Sequence, residues 1–215
     1  MRRQGDFVRF VIILIFIIMG QNFVMAESSD PDQFIIVGVS GFGTRRPENA
    51  WQPSAVHEKL PRHSLIQSSH RLVHYASDEE IAEVIDEFSC RNGRQREKQL
   101  GLIVMANSWG SGKAIDLARS YKEKCGREVD LFFVIDGVRK PIFANGTKPP
   151  ADKCYSYYQR KGLVRGKAIR GCSNKNYTKQ CEAYGYGAVQ CHIFVEWEGT
   201  DLASKVIRKF LNNIY

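Results

Sequence analysis

Three residues that can cooperate in nucleophilic catalysis are spread along the chain, a serine, an aspartate and a histidine. They are Ser108, Asp136 and His192. A serine hydroxyl is a weak nucleophile at neutral pH and needs a base beside it. An imidazole supplies that base when a carboxylate fixes its tautomer and stabilises its charged form. They occur along the chain in the order Ser, Asp, His. These residues predict a base-activated serine, with Ser108 as nucleophile, His192 as base and Asp136 as acid.

The segment around Ser108 predicts a strand, a sharp turn and a helix. Residues 102–105 form an apolar run, and from Gly110 the apolar residues change to helical spacing. Ala106 and Gly110 flank the serine two residues away on either side, and their small size lets the strand and the helix approach closely. The segment is therefore an Ala-x-Ser-x-Gly version of the Gly-x-Ser-x-Gly nucleophile elbow.

Two other interpretations of this turn compete with the elbow. The segment could be a Gly-rich turn of any α/β protein. It could also be a phosphate-binding loop, which requires Gly at position 107 and Ser or Thr at position 114. The chain has Asn107 and Ala114 there, so no hydroxyl would meet a magnesium ion. We therefore rank the phosphate loop low and predict no cofactor.

The elements that must position these residues alternate between strands and helices, which predicts an α/β fold with a doubly wound, mostly parallel sheet. The expected strands cover residues 34–39, 71–75, 102–105, 129–135 and 166–171, and the expected helices cover residues 77–88, 110–125 and 202–214. The continuous apolar run 129–135 is typical of a parallel strand that is covered on both faces.

The carboxyl ends of parallel strands form the reactive edge of an open α/β sheet. Ser108 and Asp136 each follow an expected strand, so we expect them at this edge, and we expect His192 just before the last helix. Asp152 is the alternative acid. Asp130 is a poorer candidate because it lies at the start of its strand.

Two backbone N–H groups are expected to form an oxyanion hole. One belongs to Trp109, directly after the predicted nucleophile, and the other belongs to Gly41 or Phe42, after the first expected strand. Glycine in that loop lets N–H groups face outward without a side chain in the way. Removing one such donor typically lowers the rate about 10²–10³-fold.

These segments together resemble a small exported bacterial α/β-hydrolase of the lipase and thioesterase type. The matching segments are IIVGVSGFGT, LIVMANSWGSGKAIDLA, VDLFFVIDGV, YSYYQRKGLVRGKAI and HIFVEWEGTDLASKVIRKFL. The resemblance implies an α/β-hydrolase type of sheet and a serine hydrolase that cleaves a small-molecule or lipid ester or thioester. The short connection after Asp136 predicts a small version of the fold without a large lid.

The chain departs from the pattern of these hydrolases at three places. Ala106 replaces the first glycine of the elbow, and Asn107 stands where His or Tyr is frequent. Residues 40–43, Ser-Gly-Phe-Gly, replace the usual His-Gly start of the oxyanion loop. A non-catalytic binding or structural module with the same fold is therefore the alternative function, since a fold alone does not imply its chemistry.

The N-terminus has the features of a secretory signal peptide. It begins Met-Arg-Arg, residues 7–19 are almost wholly apolar, and compact residues precede a cleavage site after Ala26. We predict a signal peptide over residues 1–26, a single domain over residues 27–215, and export to the periplasm or the exterior. An uncleaved anchor is the alternative, but the apolar run is short for the ~20 residues that a membrane span needs.

All six cysteines lie after the predicted signal peptide, and an even number in an exported chain predicts disulfides. The sequence does not determine their connectivity. The expected pairs are Cys90–Cys125, Cys172–Cys181 and Cys154–Cys191. The chain lacks a close Cys-x-x-Cys pair, so no metal site is predicted.

The formal net charge is +8, but the basic residues are scattered along the chain. They form no stripe interleaved with aromatic residues, so no nucleic-acid partner is predicted. A weak attraction to an anionic surface, either lipid or cell-wall polymer, is the remaining interpretation of the charge, and it predicts salt-sensitive binding.

Overall fold

Six strands form one parallel sheet in the part of the chain that the computed structural model describes, residues 33–39, 71–73, 79, 82–83, 100–138 and 148–214. The strands are β1 Gln33–Val39, β2 Arg71–Val73, β3 Leu100–Asn107, β4 Val129–Ile135, β5 Ala151–Tyr158 and β6 Ser173–Asn176. Their order in the sheet is β2-β1-β3-β4-β5-β6, and every neighbouring pair is parallel. All carboxyl ends therefore meet at one edge.

Helices cover both faces of this sheet. A 3-10 helix Ser108–Gly110 leads into α1 Ser111–Cys125, and α2 Thr178–Ala183 and α3 Ala188–Asn212 follow β6. Side chains of successive strand residues point to opposite faces. In β3, Leu102 and Val104 pack with α1, whereas Ile103 and Met105 pack with α3. The expected α/β fold with a parallel sheet is thus confirmed.

Several predicted elements agree with the structure, and two do not. The strands expected at residues 34–39 and 129–135 are present, and α1 ends as expected at Gly126, whose φ of 67° closes the helix. The strand expected at residues 166–171 is absent, and the chain instead forms β6 at Ser173–Asn176. The last helix begins at Ala188, 14 residues before the expected start at residue 202.

The early start of α3 follows from its packing against the sheet. Gly199 lies within this helix although glycine is a weak helix former. A Cβ atom at position 199 would lie 2.8 Å from Ile135 Cγ2 and 3.3 Å from a Tyr157 ring carbon. The glycine therefore lets α3 approach β4 and β5 closely, and packing against the sheet stabilises the helix despite the low propensity.

The disulfides differ from two of the expected pairs. Cys154 is bonded to Cys172, and Cys181 is bonded to Cys191. The predicted pairs Cys172–Cys181 and Cys154–Cys191 are therefore wrong. Cys154 and Cys172 are brought together because β5 and the segment before β6 lie side by side. Cys125 is also disulfide-bonded; Cys90, its predicted partner, lies outside the described residues.

These two disulfides are typical of an oxidising, non-cytoplasmic compartment. The chain divides into two units, Met1–Asp30 and Pro31–Tyr215, and all described residues belong to the second. The predicted signal peptide and its cleavage site lie outside the described residues. Within the described part of the chain, no helix is both long and apolar enough to cross a membrane.

Candidate active site

Ser108 occupies a strained turn at the carboxyl end of β3. It directly follows the last strand residue, Asn107, and precedes the helix α1 by one short 3-10 turn. Its φ is 47°, in a region that side chains other than glycine rarely adopt. The side chain is 6% exposed. This is the strand–turn–helix arrangement that the sequence predicts for a nucleophile elbow.

Asp136 lies beside Ser108 at the end of the neighbouring strand. Asn107 of β3 pairs with Ile135 of β4, so the two residues that follow are neighbours at the sheet edge. The carbonyl oxygen of Ser108 accepts a hydrogen bond of 3.0 Å from the Val138 N–H, which fixes the turn after β4 against the turn after β3. The predicted juxtaposition of these two residues is present in the structure.

His192 completes a hydrogen-bonded chain of three side chains. Its Nε2 lies 3.1 Å from Ser108 Oγ, and its Nδ1 lies 2.5 Å from Asp136 Oδ2. Asp136 is fully buried, whereas the His192 side chain is 13% exposed. The residue is the fifth of α3, so the expectation that it precedes the last helix is wrong. The helix carries the imidazole over the sheet edge.

The loop after β5 holds the carboxylate of Asp136 in place. Gln159 directly follows β5, and its backbone N–H donates to Oδ1 at 3.1 Å while its side-chain amide donates to Oδ2 at 2.9 Å. The Gly166 N–H also donates to Oδ1, at 3.0 Å. A Cβ atom at position 166 would lie 2.5 Å from Oδ1, so only glycine permits this approach. These three bonds fix the orientation of the Asp136 carboxylate independently of His192.

A second buried carboxylate lies next to the histidine. Glu196 follows His192 by one helical turn, is 1% exposed, and its Oε1 lies 3.5 Å from His192 Nε2. The side-chain amide of Asn107 donates to the same oxygen at 2.8 Å. Among the described residues, no hydrogen-bond donor reaches the other oxygen, Oε2. Asn107, at the end of β3, thus links this strand to α3.

The electrostatic surroundings favour the charged form of His192. Burial alone lowers the pKa of this imidazole, but the hydrogen bond to Asp136 and the negative charges of Glu196 and Asp136 outweigh burial, so the pKa is raised above 6.5. Burial raises the pKa of Glu196 to about 7, while the charge of His192 and the hydrogen bond from Asn107 act in the opposite direction. The two groups therefore affect each other: the charge of each favours the charged form of the other.

Of the remaining predicted site residues, the structure describes Trp109, Asp130 and Asp152. Trp109 lies in the 3-10 helix next to Ser108, with its side chain 36% exposed. Gly41 and Phe42, the predicted second oxyanion donors, lie outside the described residues. Asp152 stands at the start of β5, the opposite edge of the sheet, so it cannot replace Asp136. Asp130 instead accepts the Leu102 N–H at 2.7 Å.

The sequence analysis missed Gln159, Gly166 and Glu196. If residues 151–158 are read from the sequence as a strand, Gln159 falls at the carboxyl edge of the sheet, beside Asp136. A last helix extended back to residue 188 would have put Glu196 on the same helix face as His192, one turn away. The described residues contain no cluster of three or more side chains suited to hold a metal ion.

Comparison with known proteins yields no relative for this chain. No protein-family model, no curated protein and no solved structure matches it.

Proposed function

We propose that this protein is a serine hydrolase of the α/β-hydrolase type that cleaves an ester or thioester through an acyl-enzyme. The proposal rests on one observation, the continuous chain from Ser108 Oγ through the His192 ring to the Asp136 carboxylate, with distances of 3.1 Å and 2.5 Å. Both distances permit hydrogen bonds, and a nucleophile, a base and an orienting acid in this arrangement define a catalytic triad.

Acylation begins with proton transfer from the serine to the histidine. His192 Nε2 takes the Oγ proton of Ser108 as Oγ attacks the carbonyl carbon of the substrate, and the carbonyl oxygen becomes an oxyanion. The Trp109 N–H, with an N–H from Gly41 or Phe42, would stabilise that negative charge. The tetrahedral intermediate then collapses, the bond to the leaving oxygen or sulfur breaks, and the imidazolium gives its Nε2 proton to the leaving group.

Deacylation repeats these steps with water as the nucleophile. His192 Nε2 takes a proton from water, the resulting hydroxide attacks the acyl carbon, and the Ser108 Oγ leaves with the proton that the histidine held. In both halves Asp136 remains ionised, keeps the Nδ1 proton in place and stabilises the imidazolium. The four hydrogen bonds to the Asp136 carboxylate support this role, because they hold it in one orientation.

Labelling with a fluorophosphonate tests the proposal directly, because this reagent forms a covalent bond with an activated serine and leaves ordinary serines unmodified. We expect the full chain to be labelled, the Ser108→Ala variant to remain unlabelled, and Ser120→Ala to be labelled like the wild type. Ser120 lies on α1, outside the hydrogen-bonded chain, and controls for the loss of a hydroxyl. A folded wild-type protein that resists labelling would be a non-catalytic module instead.

A further inference from the structure

Glu196 combines three properties that ordinary packing does not require. It is an acidic side chain with 1% exposure, it lies 3.5 Å from the ring nitrogen of His192 that faces the serine, and one of its oxygens has no hydrogen-bond donor among the described residues. Burying a carboxylate is costly unless its bonds are satisfied. A glutamate in such a position lowers the free energy of unfolding, so a contribution to stability does not explain it. Its effect on the neighbouring His192 is the alternative.

We propose that Glu196 is a second carboxylate partner of His192, a positioning residue that stabilises the imidazolium from the Nε2 side while Asp136 stabilises it from the Nδ1 side. The inference rests on the proposed function for its catalytic consequence. Its electrostatic part, the effect of one charge on one imidazole, holds whether or not the protein is an enzyme.

The distances explain how Glu196 can act without blocking the serine. Ser108 Oγ lies 3.1 Å from Nε2, within hydrogen-bond range, whereas Glu196 Oε1 lies 3.5 Å away, beyond the usual range for a nitrogen donor. The Nε2 proton therefore remains directed at the serine and the leaving group. When it is ionised, at pH values above its pKa of about 7, the carboxylate acts through space as a negative charge. Such an effect is strong in a buried site.

Asn107 gives Glu196 a fixed position. Its amide nitrogen donates to Oε1 at 2.8 Å and so holds that oxygen beside the imidazole. Asn107 is the residue before Ser108, and Glu196 is four residues after His192, so this bond joins the two elements that carry the nucleophile and the base. Among the described residues, the titratable groups that face His192 are Asp136, after β4, and Glu196, on its own helix.

A negative charge at this position favours the state in which His192 holds two protons. That state forms when the serine loses its proton, so Glu196 would stabilise the transition state more than the resting enzyme. The same charge makes the resting imidazole harder to deprotonate. Glu196 therefore raises the maximal rate and moves the acidic limb of the pH profile to higher pH.

The test is an NMR titration of the His192 ring in the full chain, with the His192→Gln variant used to identify its signal among the five histidines. Glu196→Gln keeps the shape of the side chain and an oxygen for Asn107 but removes the charge. We expect the His192 pKa to fall by about one unit, as is typical for removal of one opposite charge at this distance. The plateau value of kcat should fall about tenfold, and the acidic limb of kcat/KM should shift to lower pH by the same unit.

Glu198→Gln is the matched control, since Glu198 lies on the same helix but is exposed; it should change neither the His192 pKa nor the pH profile. Glu196→Leu is the second charge-removing variant; it also removes the acceptor of the Asn107 amide, so its folding is checked by circular dichroism before the titration. An unchanged His192 pKa in folded Glu196→Gln or Glu196→Leu overturns the inference. A purely structural Glu196 would alter stability and leave this pKa in place.

The titration also separates this inference from the proposed function. If the wild type is labelled by a fluorophosphonate but the His192 pKa is the same without Glu196, the enzyme proposal stands and the role of Glu196 is wrong. If the pKa falls but the wild type is not labelled, the charge coupling stands and the hydrolase proposal fails.

Discussion

Ser108 and Asp136 both have positive φ, 47° and 42°, and each is the first residue after one of two neighbouring strands, β3 and β4. They are the only non-glycine residues with positive φ in the described part of the chain. Such backbone conformations cost about 1–3 kcal/mol each and persist where the surrounding structure enforces them. Both side chains reach the same histidine, Ser108 at Nε2 and Asp136 at Nδ1, as the proposed function requires.

Replacing Asp136 by asparagine should abolish most activity while preserving the fold. Asparagine can still accept at Oδ1, but its NH2 group at the Oδ2 position would face the Gln159 amide and His192 Nδ1. The imidazole must then present a lone pair to the amide and carry its proton on Nε2, where it cannot take the serine proton. We expect kcat to fall about 10⁴-fold. Steady-state kinetics with circular dichroism as a folding check measures this, and near-normal activity would exclude Asp136 as the acid.

Adding one methyl group at Gly166 should displace the acid. The Cβ atom of alanine would lie 2.5 Å from Asp136 Oδ1 and 2.8 Å from Tyr158 Cβ, so the loop or the carboxylate must move. We expect a loss of about 1–3 kcal/mol in the free energy of unfolding, as for other overpacked sites, together with a marked fall in kcat. Chemical denaturation and steady-state kinetics measure the two effects.

Gly187→Ala is the matched control for Gly166→Ala. The nearest atom to its new Cβ would be a side-chain oxygen of Gln190 at 3.4 Å, which is an ordinary contact. Its effects on stability and activity should be small. If Gly166→Ala behaved like this control, the loop after β5 would not be what holds Asp136.

The two described disulfides should differ in their effect on activity. Cys181–Cys191 ties α2 to α3 one residue before His192, whereas Cys154–Cys172 lies on β5 and the segment before β6. Replacing either pair by alanines should cost about 2–4 kcal/mol of stability, because the unfolded chain regains the conformational entropy that each cross-link removes, over sequence separations of 18 and 10 residues. Only loss of Cys181–Cys191 should lower kcat well before the protein unfolds. Equal effects of the two double variants on kcat, measured at a temperature where both are folded, would contradict this.

Stability should fall as the pH rises through the neutral range. Both His192 and Glu196 have pKa values raised in the folded state, so the folded protein binds protons more tightly than the unfolded chain does. Their contributions are present at low pH and are lost as the pH rises, between 4.5 and about 7 for Glu196 and above 6.5 for His192.

Thermal unfolding from pH 5 to pH 8 in wild type, Glu196→Gln and Glu198→Gln measures this dependence. Glu196→Gln removes a carboxylate that must ionise while buried, so the free energy of unfolding of this variant should depend less on pH. At pH 8 it should exceed that of the wild type by about 1–3 kcal/mol. Glu198→Gln should follow the wild-type curve. A wild-type protein whose stability rises over this range would show that the two groups are not protonated as their surroundings imply.

The elements with continuous apolar patterns could be predicted from the sequence, whereas the contacts that complete the site could not. The runs before Ser108 and Asp136 are buried on both faces, so both their strand conformation and their parallel pairing follow from local composition. The start of α3 does not follow from local composition, because Gly199 is unfavourable in an isolated helix and is tolerated only where the sheet approaches it.

The disulfide pairs and the loop around Asp136 depend on which strands become neighbours. Cys154 meets Cys172 only because β6 pairs with β5, and β6 is a short, exposed strand with no apolar pattern to reveal it. Gln159 likewise reaches Asp136 across two adjacent strand ends, 23 residues apart in sequence. Long-range pairing of this kind is a property of the folded sheet and leaves little trace in local sequence.

Trapping the acyl-enzyme tests the central claim most directly. The full-length protein is mixed with a short activated ester, quenched in acid within one turnover, and mapped by peptide mass spectrometry. A hydroxyl made reactive by the imidazole predicts one acyl group per chain, carried by Ser108 in wild type and absent from Ser108→Ala and His192→Gln. Turnover of the ester by wild type with an acyl group on another residue, or acylation of Ser108 that is equally fast without His192, would contradict it.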